Sequence, residues 1–157
     1  MPFTEGDIDG VLVKQITKYS DHRGWLTEVF RDDELEDFRP VMCYISLTEP
    51  EASRGPHEHH KQTDYFVFTG PGDFEIDLWD NRENSSTFGN HRKYIGGETS
   101  PLCLIIPPGI VHGYKNISHL QGLVVNCPDQ LFAGYNRSEP IDETRHEDDP
   151  RSIFRIE

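Results

Sequence analysis

The feature that most limits the fold is a two-residue alternation of apolar and polar side chains, interrupted every few residues by Gly, Pro, Asn or Asp. It runs from Val11-Leu12-Val13 into Gln15-Ile16-Thr17, then through Trp25 to Phe30, Met42 to Leu47, Asp64 to Phe68 and Asp73 to Trp79. Leu102 to Ile106, Gly113 to Asn116 and Gly122 to Val125 continue it. A period of two puts successive side chains on opposite faces of a pleated strand, and these segments are rich in β-branched and aromatic residues. Only an acidic stretch around Asp32 to Asp37 offers a helix, of one or two turns. Short strands at regular spacing, without helices between them, predict an all-β sandwich or barrel. Residues 137–157, rich in charge and Pro, predict a tail packed on that body.

The length of 157 residues suits one domain spanning 1–157, and 9 Phe, 6 Tyr and 2 Trp supply a core without disulfides. The 28 Asp and Glu against 15 Lys and Arg leave a net charge of −13. Binding a nucleic acid or an anionic membrane needs clustered cations, so both partners are excluded by charge. No run approaches the ~18 apolar residues of a membrane span, and no basic segment leads into an apolar one at the N-terminus. Cys43, Cys103 and Cys127 are widely spaced, as expected of buried thiols in a reducing compartment. A cytoplasmic protein is the expectation.

Histidines concentrate where the acidity is mild. His57 and His59 are two apart, so on a strand both imidazoles project from one face, and Asp64 opens the next strand. His112 follows the turn Pro107-Pro108-Gly109. Three imidazoles and a carboxylate delivered by strands of one small barrel either close around a divalent metal or line a polar pocket. His60, His91, His119 and His146 read as surface residues, and Arg82 with Ser85 to Gly89 as a turn. Arg23 and Glu28 are placed to pair with one another across a strand.

These two histidine segments resemble the cupin superfamily. His57, His59, Asp64 and Gly70 match its first motif; Pro107, Gly109, His112 and Asn116 match its second. The resemblance implies a double-stranded β-helix jelly roll with the site at the barrel mouth. A narrower likeness covers most of the chain. Asp21 to Phe30, Arg54-Gly55-Pro56-His57, Asp80 to Gly89, Ile106 to Tyr114 and Asp149-Pro150 resemble the dTDP-4-dehydrorhamnose 3,5-epimerase family, in the family's order.

That resemblance implies proton abstraction beside the 4-keto group of a nucleotide-linked deoxysugar, through an enolate, with reprotonation from the other face and no cofactor. His57 matches the base, Arg54 a substrate-contacting arginine and His112 the pocket histidine. Arg23 and Glu28 match nucleotide-binding residues that in the family act partly across a homodimer interface. His59 and Lys61 are further candidates, for the sugar oxygens and the diphosphate. The family's tyrosine acid aligns at Leu131-Phe132, which leaves Tyr135 or Tyr114 to supply a proton, and its pocket lysine falls near Tyr65. Arg54-Gly55-Pro56-His57-Glu58-His59 also resembles the sugar 3,4-ketoisomerases. The other readings are a metal-dependent cupin holding the ion with His57, His59, Asp64 and His112, and a non-catalytic sugar-binding protein.

Overall fold

The computed structural model describes residues 3–157. Thirteen strands carry the fold: β1 Thr4–Glu5, β2 Leu12–Gln15, β3 Tyr19–Asp21, β4 Gly24–Leu26, β5 Tyr44–Thr48, β6 Ser53–Glu58 and β7 Asp64–Phe68. They continue as β8 Asp73–Asp80, β9 Asn90–Gly97, β10 Leu102–Ile106, β11 Ile110–Asn116, β12 Gly122–Asn126 and β13 Thr144–Arg145. One sheet has the order β1-β9-β8-β11-β6-β13, the other β2-β10-β7-β12-β5, and β3 and β4 form a separate hairpin. This is the expected all-β jelly roll.

The core lies between the two sheets, where Phe66, Phe68, Phe74, Ile76, Leu78, Leu102, Leu104, Ile106, Ile110 and Val124 interdigitate. Strand alternation explains the remaining apolar residues of β7 and β10. Tyr65, Val67, Cys103 and Ile105 point outward and are covered by Val29, Phe30, Leu35 and Phe38. On the outer face of the first sheet, Trp79 and Val111 are covered by Phe154, with Phe3 and Ile156 beside them. β11 in the first sheet and β7 and β10 in the second are therefore buried on both faces.

Three expectations change. The acidic stretch 32–37 forms turns and no helix; it is too short to repay helix nucleation, and Arg31 to Asp33 and Arg39 to Asp32 ion pairs at 2.6 Å fold it locally. The strand expected to reach Phe30 ends at Leu26, because Thr27 Oγ1 donates to the Thr17 carbonyl (2.8 Å) and Phe30 turns in against Tyr65. The tail does more than lie on the body. Its Thr144 and Arg145 extend the first sheet by pairing with Glu58 and His57. β9 carries too few apolar residues to be read in the sequence.

Candidate functional site

β6 and β11 set the first two imidazoles opposite one another, since His57 and His112 are register partners. Gly55 makes this close approach possible. It sits at φ +81°, and a Cβ there would lie 2.6 Å from the His112 carbonyl oxygen. The His57 and His112 rings are 4.6 Å apart between centroids, and His59, one residue past β6, stands 5.5 Å from His57 and 5.7 Å from His112. Asp64 faces them from the second sheet, fully buried. Its Oδ1 accepts from Gln62 Nε2 (2.8 Å) and Asn126 Nδ2 (2.7 Å). Its Oδ2 lies 3.2 Å from both His59 Nε2 and His112 Nε2.

The outer nitrogens of two rings are anchored on backbone. His112 Nδ1 donates to the Ile110 carbonyl at 2.9 Å, and His59 Nδ1 to the carbonyl of Asp142. The Asp142 carboxylate in turn accepts the backbone N–H groups of His60, Lys61 and Gln62 at 2.8 to 2.9 Å. This binds the turn after β6 to the C-terminal segment. His57 makes no side-chain hydrogen bond among the described residues.

Electrostatics divide the three rings. Burial, then the neighbouring His112 and His59, push His57 down to about 2, so it is a neutral imidazole with a free lone pair. Burial also opposes charge on His59, but the Asp64 carboxylate outweighs it and lifts that ring to about 9. Asp64 responds in the opposite sense: despite burial, His112 and His59 hold it well below the usual carboxylate range.

A cleft of about 730 Å³ opens over the rings, lined by Tyr44, His57, His59, Lys61, Tyr135 and Glu143 among others. An adjoining pocket of about 420 Å³ is lined by Arg54, Tyr114 and Arg145, and shares Tyr44, His57 and Glu143 with it. The structure thus brings His59, Lys61 and Tyr135 to the first pocket and Arg54 and Tyr114 to the second, with His57 lining both and His112 beside it. Arg54 is braced by Thr48 Oγ1 and the Leu47 carbonyl, and the Tyr114 hydroxyl meets Ser46 at 3.0 Å.

Arg23 and Glu28 stand apart from this chain's own cleft. They do not pair with one another either: Arg23 binds Asp21, two residues back, and Glu28 meets Arg31 at 3.4 Å. Two histidines expected on the surface are partly buried. His91 stacks on Trp79 at 4.9 Å and contacts Asp77, while His146 bonds Glu58 at 3.0 Å. Sequence reasoning missed Tyr44, Asn126, Asp142 and Arg145. No spacing marks them, because only strand pairing and the returning tail bring them to the histidines.

The three imidazoles are close enough together that they could hold a metal ion. Ligand atoms of His57, His59 and His112 lie within 4.8 Å of one another, and the buried His112 Nε2 and Asp64 Oδ2, 3.2 Å apart, make no well-aligned hydrogen bond. No helix among the described residues is long and apolar enough to cross a membrane.

The family model for dTDP-4-dehydrorhamnose 3,5-epimerase matches residues 5–139. The spore coat polysaccharide biosynthesis protein SpsL of Bacillus subtilis is 37% identical over 140 residues, covering 88% of either chain. The probable low-salt glycan biosynthesis epimerase Agl13 of Haloferax volcanii is 35% identical over 139 residues, 87% of this chain and 86% of that one. A dTDP sugar isomerase structure from Desulfovibrio desulfuricans superimposes with a TM-score of 0.81 at 22% identity, over 94% of this chain and 91% of the other. That likeness establishes the fold.

Proposed function

The chain belongs to the dTDP-4-dehydrorhamnose 3,5-epimerase family, and from that premise we propose that it epimerises a nucleotide-linked 4-keto-6-deoxysugar, with His57 as the base. One observation carries the assignment: His57 is the imidazole open to both parts of the cleft, held neutral and free of internal hydrogen bonds. Its lone pair takes a proton from the carbon beside the keto group, and the electrons move onto the keto oxygen. Negative charge developing there stabilises the imidazolium that burial disfavours. His59, charged against Asp64, and His112 serve the sugar oxygens. Arg54 and Lys61 answer the diphosphate locally, against a chain whose net charge is −13. The Arg23 hairpin reaches a neighbour's cleft in a homodimer, and the three free thiols accord with a reducing, cytoplasmic setting.

The test is solvent exchange. Incubated in deuterium oxide with a dTDP-4-keto-6-deoxyhexose, the protein incorporates deuterium next to the keto carbon, read by NMR. His57→Ala lowers the rate by about 10²-fold or more, in line with loss of a general base. An unchanged rate in that variant removes His57 from the mechanism.

A second reading rests on the buried His112 Nε2 and Asp64 Oδ2, which stand 3.2 Å apart without a well-aligned hydrogen bond. His57, His59 and His112, with Asp64, would hold a divalent cation, and the backbone anchors on His59 and His112 are the outer support that metal-bound imidazoles have. When bound, the ion supplies a Lewis acid for the keto oxygen. It would also occupy the His57 lone pair, so the two readings compete at that atom. Elemental analysis separates them. One equivalent of Fe, Mn, Ni or Zn, lost in His59→Ala, supports the metal; full exchange by metal-free protein overturns it.

A further inference from the structure

We propose that Tyr44 is the proton donor on the face of the sugar opposite His57, an assignment that rests on the epimerase reading. Inverting a carbon centre needs a proton taken from one side and returned from the other. His57 stands on β6 of the first sheet and Tyr44 on β5 of the second, and both line both parts of the cleft. The substrate cleft therefore has the base in one wall and Tyr44 in the other.

Hydrogen bonding fixes which way the Tyr44 proton is available. Asn126 Oδ1 accepts the backbone N–H of Tyr65 at 3.0 Å, which sets the orientation of its amide. Asn126 Nδ2 then donates one proton to Asp64 Oδ1 (2.7 Å) and the other to the Tyr44 hydroxyl (3.0 Å). An amide nitrogen only donates, so the phenol oxygen is the acceptor in that bond. The phenol's own O–H has no acceptor among the described residues and is left for a ligand. The rivals are less suited. Tyr114 shares its hydroxyl with Ser46 and is packed edge-on against Phe66, Phe68 and Phe74. Tyr135 is 73% exposed, on a turn at the rim.

The step balances without another reactant. His57 removes the proton as the C–H bond breaks, leaving an enolate. The enolate electrons then return to form a C–H bond with the Tyr44 proton on the opposite face, restoring the ketone. The phenolate regains a proton from water in the open cleft, and the His57 imidazolium loses one to it.

Two signals from one reaction in deuterium oxide test this: deuterium exchange without inversion, and formation of the inverted sugar. In Tyr44→Phe, exchange through His57 stays within about threefold while inverted product falls by about 10²-fold, the usual contribution of a general acid. Retained exchange in the variant itself certifies a folded site. Inverted product at the wild-type rate overturns the proposal, as does the same split appearing in Tyr135→Phe instead. Should Tyr44→Phe lose both signals, fluorotyrosine at position 44 decides: its more acidic phenol moves the basic limb of product formation to lower pH, and an unmoved limb overturns the role. Absence of both signals in the wild-type protein overturns the epimerase reading, and Tyr44 with it.

Discussion

At Asp80, five donors converge on one carboxylate. Arg82 supplies its backbone N–H, Nε and Nη2, and Ser85 Oγ and Thr87 Oγ1 each approach to 2.6 Å. Burial alone would raise this group, but the bonds from Arg82, Ser85 and Thr87 hold it well below the usual carboxylate range. A depressed carboxylate stabilises the fold at any pH above its unfolded value of 3.8, and the contribution fades as pH falls through the lower folded value. Asp80→Asn is therefore expected to cost about 2 kcal/mol at pH 7, the scale of charge-assisted bonds. The gap from wild type shrinks toward pH 2, as denaturant unfolding at the two pH values will show. The Asp80 to Gly89 block was legible as a turn because its polar residues are neighbours in sequence. The same holds for His57, His59 and Asp64. Tyr44 and Asn126 were not legible, because only the β5 to β12 register joins them.

Among the elements, strand identity was easiest to read where both faces are apolar. β7 and β10 are buried throughout, and their short apolar runs stand out. β9 and β13 are recognised only by their partners, since β13 is two residues long and β9 exposes Lys93 and Ile95 on alternate positions, one of them apolar. The C-terminal segment illustrates how an element of little intrinsic preference becomes part of a site. Asp142 holds three successive backbone N–H groups, and its carbonyl holds His59. Asp142→Ala is expected to destabilise the fold by about 2 kcal/mol and to speed amide exchange at residues 60–62. Asp142→Asn, which keeps one acceptor oxygen, should fall between that variant and wild type. Unchanged exchange at those amides would show that the turn holds itself without the tail.

At the scale of the whole molecule, apolar side chains remain exposed at both edges of the second sheet and on the hairpin. Leu12 and Val13 on β2, Ile45 and Leu47 on β5, and Tyr19, Trp25 and Leu26 on the hairpin are each between 41% and 67% exposed. A second copy covering the hairpin would bury Tyr19, Trp25 and Leu26 and carry Arg23, in the turn between β3 and β4, toward the neighbouring cleft. Sedimentation of the wild-type protein should then give a dimer, and Trp25→Glu with Leu26→Asp a monomer that keeps its fold and binds substrate more weakly. A wild-type monomer at micromolar concentration rules this out. The strand order has a further consequence, for time. Thr4 pairs with Asn90, and Gln15 with Leu102, so the first strands have no partner until most of the chain exists. Closing such long loops before contacts can repay the entropy makes folding slow, on the order of milliseconds to seconds. During synthesis the N-terminal strands, Leu12 and Val13 of β2 included, must wait unpaired for residues still inside the ribosome.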